Sequence, residues 1–252
     1  MKKSVAINIG TSGWHYRHWK GPFYPRSLPS SDWLKYYAGH LSTTEINNTF
    51  YQLPGKKTLA GWKNIVPRDF VFSVKASRYI THMKKLKDPE KTLPAFLNRI
   101  SALKETLGPI LFQLPPHWRC NPGRLDSFLD SLPDGHSYTF EFRDPSWFDD
   151  RVYEILSRYK AAFCIYHLAG KISPRIVTAD FIYVRLHGPG AAYQGQYSTK
   201  TLAGWAETFS GWREEGKSVY CYFDNDQNGY APRDAHRLKN MLSSSGGNNK
   251  DN

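Results

Sequence analysis

Four pairs of polar residues two positions apart stand out in the chain: Glu45 with Asn47, Ser73 with Lys75, Glu141 with Arg143, and Arg185 with His187. Two positions is the side-chain repeat of a β-strand, so each pair shares one face wherever its segment is extended. Every pair also closes a short apolar or alternating run, as do Gln113 and the trio Asp224, Asn225 and Asp226. Brought together, Glu45, Glu141 and Asp224 set three negative charges against the three positive charges of Lys75, Arg143 and Arg185. Such a self-neutralising set has two uses. Buried ions avoid a large desolvation cost by pairing, so the set can be purely structural. It can also be a ligand site, and polar residues at so many run ends exceed what packing requires.

The side chains suggest roles. Glu141 beside Arg143 stays ionised, while His187 changes protonation near neutral pH, which makes these two the leading groups for proton transfer. Glu45 and Asp224 are further candidate catalytic carboxylates. Lys75 suits the stabilisation of an oxyanion or, desolvated, attack as an amine; a salt bridge to Glu45 or Asp224 is the structural alternative. Arg143, Arg185 and Arg78 suit anionic groups, with Asn47, Gln113 and Asn225 as hydrogen-bonding partners and Trp14 and Tyr51 as aromatic walls. Oxygen and imidazole donors are present, but the HxxxH, HxH and paired CxxC spacings of metal sites are absent, so neither metal nor cofactor is assigned.

The net charge of +12 is unevenly spread. Residues 1–135 hold 20 Lys and Arg against 9 Asp and Glu, and residues 136–252 hold 14 against 13. Within residues 56–91 ten basic residues face three acidic ones, and residues 77–91 interleave Arg78, Tyr79 and His82 with Lys84, Lys85 and Lys87. That composition suits phosphate contacts with aromatic stacking, or simply a solvated basic surface. A second aromatic stretch, Trp14, Tyr16, Trp19, Phe23 and Tyr24, reads chiefly as a packed cluster against Phe50 and Tyr51.

The elements that would position these residues follow from hydrophobic periodicity. Extended runs are expected at 5–9, 43–47, 71–75, 110–114, 138–142, 162–166, 181–186 and 218–223. Helices are expected at 32–41, 58–65, 93–107, 124–132, 150–159, 199–215 and 232–242, with Pro94 and Pro109 taken as element boundaries. Residues 170–180 offer no long helix. Eight strands alternating with helices over 252 residues match a single α/β domain, a TIM-type (β/α)8 barrel spanning residues 1–242 with an irregular unit between strands six and seven. Residues 243–252 read as a disordered polar tail. Cys120, Cys164 and Cys221 suit reduced thiols, and no apolar run reaches a membrane span or a secretory core, so a cytoplasmic protein without a membrane partner is expected.

Several motifs occur together in collinear order: IGTSGWHYRHWKGPFYP at 9–25, TEINNTFYQLP at 44–54, FSVKASRYITH at 72–82, LGPILFQLPP at 107–116, FEFRDPSW at 140–147, YVRLHG at 183–188 and YFDND at 222–226. On these the chain closely resembles the YecE-like family, domain of unknown function 72. The resemblance implies a TIM-type barrel similar in shape to endonuclease IV and xylose isomerase. It implies recurrent polar positions at Glu45, Asn47, Lys75, Gln113, Glu141, Arg143, Arg185, His187, Asp224 and Asn225, and no reaction. Asp144 stands where family members often place His, and the many His ligands of a trinuclear zinc cluster are missing, so the fold and the phosphate-binding suggestion carry over and the zinc chemistry does not.

The resulting expectation is an enzyme acting on a phosphate-containing small molecule or a nucleic acid at the strand ends, in the manner of a phosphodiesterase. Two alternatives are a nonhydrolytic nucleic-acid-binding module using the basic half, and a sugar isomerase or hydrolase using Glu45 and Glu141.

Overall fold

The computed structural model describes residues 5–245. The elements run β1 (Ile7–Ser12), α1 (Trp33–Ala38), β2 (Thr43–Ile46), α2 (Lys56–Ile65), β3 (Val71–Lys75), α3 (Pro89–Ile100), β4 (Leu107–Gln113), α4 (Pro122–Asp130), β5 (Tyr138–Glu141), α5 (Asp150–Arg158), β6 (Ala162–Leu168), β7 (Lys171–Ile172), β8 (Phe181–Leu186), α6 (Thr199–Glu214), β9 (Ser218–Phe223) and α7 (Tyr230–Ser245). Strands pair in the order β5-β4-β3-β2-β1-β9-β8-β6-β7, and a further β5–β6 pairing closes eight of them into a parallel TIM-type barrel. The expected fold class is therefore the observed one.

The irregular unit falls where expected. β7 pairs antiparallel with β6 outside the closed ring, through a turn at Ala169 and Gly170 that takes positive φ at both residues, as a tight hairpin requires. No helix separates β7 from β8.

The differences from the expected boundaries have local causes. β1 runs on to Ser12 because Gly10 is a close-approach residue rather than a stop: a Cβ there would lie 2.0 Å from the Thr43 carbonyl oxygen. Pro94 is not a boundary but lies inside α3, which starts at Pro89 and stops at Ile100. The ring costs that helix one hydrogen bond. Burial of Leu93, Phe96 and Ile100, worth about 2 kcal/mol each, holds the helix in place. A short 3-10 segment, Ser101–Thr106, follows and is kinked at Lys104, whose φ is 48°. Pro109 lies within β4, where the β3–β4 pairing slips between Phe72 and Val74. α7 continues to Ser245, so residues 243–245 are helical rather than tail; residues 246–252 fall outside the described residues. No described helix is long and apolar enough to cross a membrane.

The chain forms two compact units. One comprises Met1–Thr44, Tyr166–Ser173 and Val184–Asn252, the other Glu45–Ile165 and Pro174–Tyr183. In the second unit, strand alternation decides which side chains turn inward. Phe112 and Phe140 stack on each other and meet Phe128 of α4, and Phe163 meets Tyr153 of α5. These aromatic residues form the layer under the helices, which turns Gln113, Glu141 and Cys164 to the interior face. In the first unit, Tyr37 of α1 ties the outer edge of β1 to β2 through its hydroxyl, 2.8 Å from Thr11 Oγ1 and 2.9 Å from the Thr43 carbonyl.

Candidate active site

In the first unit, the ends of β8 and β9 are fixed side by side by a hydrogen bond from the Asp224 amide to the Leu186 carbonyl (2.9 Å). Arg185 and His187 alternate with the apolar Val184 and Leu186 and therefore share a face. His187 Nδ1 lies 3.0 Å from Asp224 Oδ2, and Arg185 stands 3.4 Å both from that oxygen and from His187 Nε2. A guanidinium only donates and a carboxylate only accepts. The imidazole accordingly holds its proton on Nδ1, toward Asp224, and presents a lone pair at Nε2. Arg185 also donates to Ser12 Oγ at the end of β1 (3.4 Å). Arg185 and His187 are buried, while the Asp224 side chain remains 14% exposed.

Residues 188–197 form a loop over this group. Its first turn needs Gly188, at φ 129°, where a Cβ would meet the Ala191 carbonyl oxygen at 2.4 Å. The Tyr193 amide donates back to the His187 carbonyl, and the Tyr193 ring stands edge-on to the imidazole with centroids 5.4 Å apart. The loop is braced from behind. Tyr197 OH accepts from the Gly188 amide (3.1 Å), and Asp234 of α7 accepts from the Tyr197 amide and from the Asn225 side chain (both 2.9 Å). Burial pushes the Asp234 carboxyl up, against the opposing hydrogen bonds from Tyr197, Asn225 and Arg237. Asn225, expected to meet ligand, thus donates to Asp234 and the Gly195 carbonyl; its Oδ1 is buried with no hydrogen-bond partner among the described residues. Trp14 is buried, and its carbonyl accepts from Tyr24 OH (2.6 Å). Tyr24 in turn stacks on Trp33, so the aromatic stretch after β1 is a packed cluster.

The second unit carries the other candidates. Glu45 is fully buried and accepts from Tyr183 OH (2.6 Å). Arg143 Nε donates to the buried Glu141 in a close ion pair, and the Cys164 thiol lies 3.8 Å from the other Glu141 oxygen. Gln113 is the register partner of Glu141, and its amide donates to the Leu114 carbonyl (3.1 Å). Lys75 Nζ sits 4.3 Å above the Phe50 ring, an arrangement held by Thr49, which donates to the Lys75 carbonyl (2.6 Å). Asn47 is half-buried, with an Oδ1 that has no partner among the described residues. Tyr51 and Arg78 are exposed.

His82 packs edge-on to Phe50, and its pKa is pushed down to about 4, first by burial and then by the charges of Lys75 and Arg78. A histidine whose pKa is depressed in the fold is neutral there and protonates more readily when unfolded. Its contribution is intact above the unfolded value of about 6.5 and is lost as pH falls toward 4. We expect wild type to lose on the order of 1–2 kcal/mol more than His82→Phe between pH 7 and pH 4, after discounting for solvent screening. Urea unfolding of both proteins at the two pH values measures this; equal losses would refute it.

Several participants were not among the expected site residues, Ser12 and Tyr193 of the His187 group among them. Tyr183 is two residues before Arg185 and so on the same face, which the alternation of β8 would have revealed. Cys164 follows from β6 in the same way. Asp234 lies on a helix and carries no signal in the sequence. Among the described residues, no group of three or more His, Cys, Asp or Glu side chains is placed to hold a metal ion.

A family model described as "Protein of unknown function DUF72" matches residues 8–251. The UPF0759 protein YecE of Escherichia coli strain K12 is 34% identical over 118 residues, 46% of this chain, and the match spans only 43% of that relative. A DUF72 family protein from Thermotoga maritima superposes with a TM-score of 0.86 at 29% identity, covering 94% of this chain and 99% of that one. A DUF72 family protein from Enterococcus faecalis gives 0.78 at 21% identity, with 94% and 95% covered, and so speaks to the fold alone. The same holds for a vitamin-B12 independent methionine synthase from Listeria monocytogenes, at TM-score 0.56 and 10% identity over 96% of this chain and 99% of that one.

Proposed function

The chain belongs to the DUF72 family, and on that footing we propose that it is an enzyme of phosphate-ester hydrolysis, with Arg185, His187 and Asp224 as its working groups. One observation carries the reading: His187 Nδ1 is held 3.0 Å from Asp224 while Arg185 stands 3.4 Å from Nε2. An imidazole oriented by a carboxylate is a general acid and base, and the adjacent guanidinium is a geometric match for a phosphate.

The steps follow from these contacts. When Tyr193 and its loop move aside, a phosphate engages Arg185 and draws the guanidinium off Nε2. Water attacks phosphorus and forms the new P–O bond as the ester P–O bond breaks. Nε2 takes the water proton, Asp224 stabilises the imidazolium, and that proton then passes to the leaving alkoxide. Ser12 keeps Arg185 aligned. The substrate is a phosphorylated small molecule or a nucleic-acid phosphodiester. The alternative reading with sugars at Glu45 and Glu141 has less support, because Tyr183 and Arg143 already engage those carboxylates.

A panel of p-nitrophenyl phosphate monoesters and diesters, alongside neutral p-nitrophenyl glycosides, tests the proposal. Turnover of at least one phosphate ester, inhibited competitively by inorganic phosphate, is the expected result. Turnover confined to glycosides, or none on the panel with no effect of phosphate on thermal stability, would overturn it.

A further inference from the structure

The second compact unit leaves unusual side chains in water. Tyr51 is 83% exposed, Met83 69% and Tyr79 48%; Tyr51 precedes the most basic stretch of the chain, residues 56–91, and Tyr79 and Met83 lie within it. Isolated exposed apolar residues are ordinary, but Tyr51 and the turn that carries Tyr79 and Met83 both pack on one residue, the turn through its His82. Phe50 is the hub. The Tyr51 ring stands against it at 5.0 Å, His82 meets it at 4.9 Å, and Lys75 Nζ caps it at 4.3 Å. His82 belongs to the same π-helical turn, Tyr79–Met83, that displays Tyr79.

The positive charge beside these rings is held in place. Leu86 is buried and its amide donates to the Ile80 carbonyl (3.0 Å), which folds the segment after the turn back onto it. Lys85 and Lys87, on either side of that anchor, are exposed, as is Arg78. Lys84 is committed elsewhere, to Asp88 at 2.9 Å, and lies 5.9 Å from the Tyr79 ring.

Exposed rings held on a rigid base suit flat ligands, and neighbouring cations suit an anionic backbone. We propose that the segment after β2 and the turn after β3 form a stacking platform for single-stranded nucleic acid, on which Tyr51 and Tyr79 take bases while Arg78, Lys85 and Lys87 face the phosphates. Single strands are favoured over duplexes because a ring stacks only on a base that has left its own stack. His82 stays neutral at physiological pH and adds a further planar surface rather than a charge.

Fluorescence anisotropy of the full chain with a labelled oligothymidylate, its duplex with oligoadenylate, and heparin as a polyanion without bases tests the platform. Wild type is expected to bind the single strand best. The double variant Tyr51→Ala, Tyr79→Ala should lose at least about tenfold in single-strand affinity with heparin binding unchanged. Lys85→Gln with Lys87→Gln should weaken both and reduce the salt slope for the single strand by about 1.4. These residues are exposed, so the variants should keep wild-type circular dichroism. Absence of single-strand binding at 50 mM salt, or equal loss for heparin and single strand in the tyrosine variant, would overturn the proposal. Each arm reads binding, so failure here leaves phosphate-ester turnover standing, and loss of turnover leaves the platform standing.

Discussion

Asp224→Asn is expected to lower phosphate-ester turnover by about 10³- to 10⁴-fold with little change in substrate affinity. The reason lies in the proton on His187. The wild-type carboxylate can only accept, which keeps that proton on Nδ1 and leaves Nε2 as the base. An asparagine offers an N–H to Nδ1 and so favours the opposite tautomer, in which Nε2 already carries its proton. His187→Gln, which removes the base altogether, should fall to a similar floor. The two losses should not add when combined, because both remove one function. A thermal unfolding midpoint within a few degrees of wild type is the control for folding. Losses under about tenfold in both variants would place the chemistry elsewhere.

The second large effect concerns stability. Arg143→Ala should destabilise the fold by about 3–5 kcal/mol, because it deprives a fully buried carboxylate of its guanidinium. For a chain of this length that corresponds to a fall of roughly 10 °C in the unfolding midpoint. The deficit has a characteristic pH dependence. The penalty comes from a buried charge, so it is largest at neutral pH, where the carboxylate is ionised, and shrinks as pH falls and protonation removes that charge. Combining Arg143→Met with Glu141→Leu should recover most of the loss, since an apolar pair of similar volume imposes no charge burial. Calorimetry at pH 7 and pH 5 checks both statements, and a pH-independent deficit would refute the electrostatic account.

The barrel was legible because its strands are short, apolar and evenly spaced, and because the one missing helix announced itself in the polar, glycine- and proline-containing segment after β6. Strand alternation also placed Arg185 with His187 and Glu141 with Arg143, and these are contacts in the structure. What alternation cannot supply is the partner across space. Tyr183 was available on the face of Arg185, yet nothing in the order of residues says that its hydroxyl ends on Glu45, 138 positions away. Asn225 shows the converse. Its place next to Asp224 at a strand end suggests a ligand contact, but its side chain turns to Asp234, and the direction of a side chain beyond the last ladder bond is set by loop and helix packing. Pro94 and Pro109 read as boundaries and serve as interior residues because tertiary packing outweighs local preference at both places.

The pairing of β1 with β9 has a consequence for how the molecule is made. Ile7 pairs with Val219, so one edge of β1 finds its backbone partner only after more than two hundred further residues have been synthesised. At a ribosomal pace of about 5–20 residues per second, that edge waits roughly 10–40 s. Most of the second compact unit is one continuous stretch, Glu45–Ile165, and can assemble during the interval. The first unit joins early and late segments and cannot be completed until β9 emerges. The His187–Asp224 contact, formed at the ends of β8 and β9, is therefore among the last features of the nascent chain to appear.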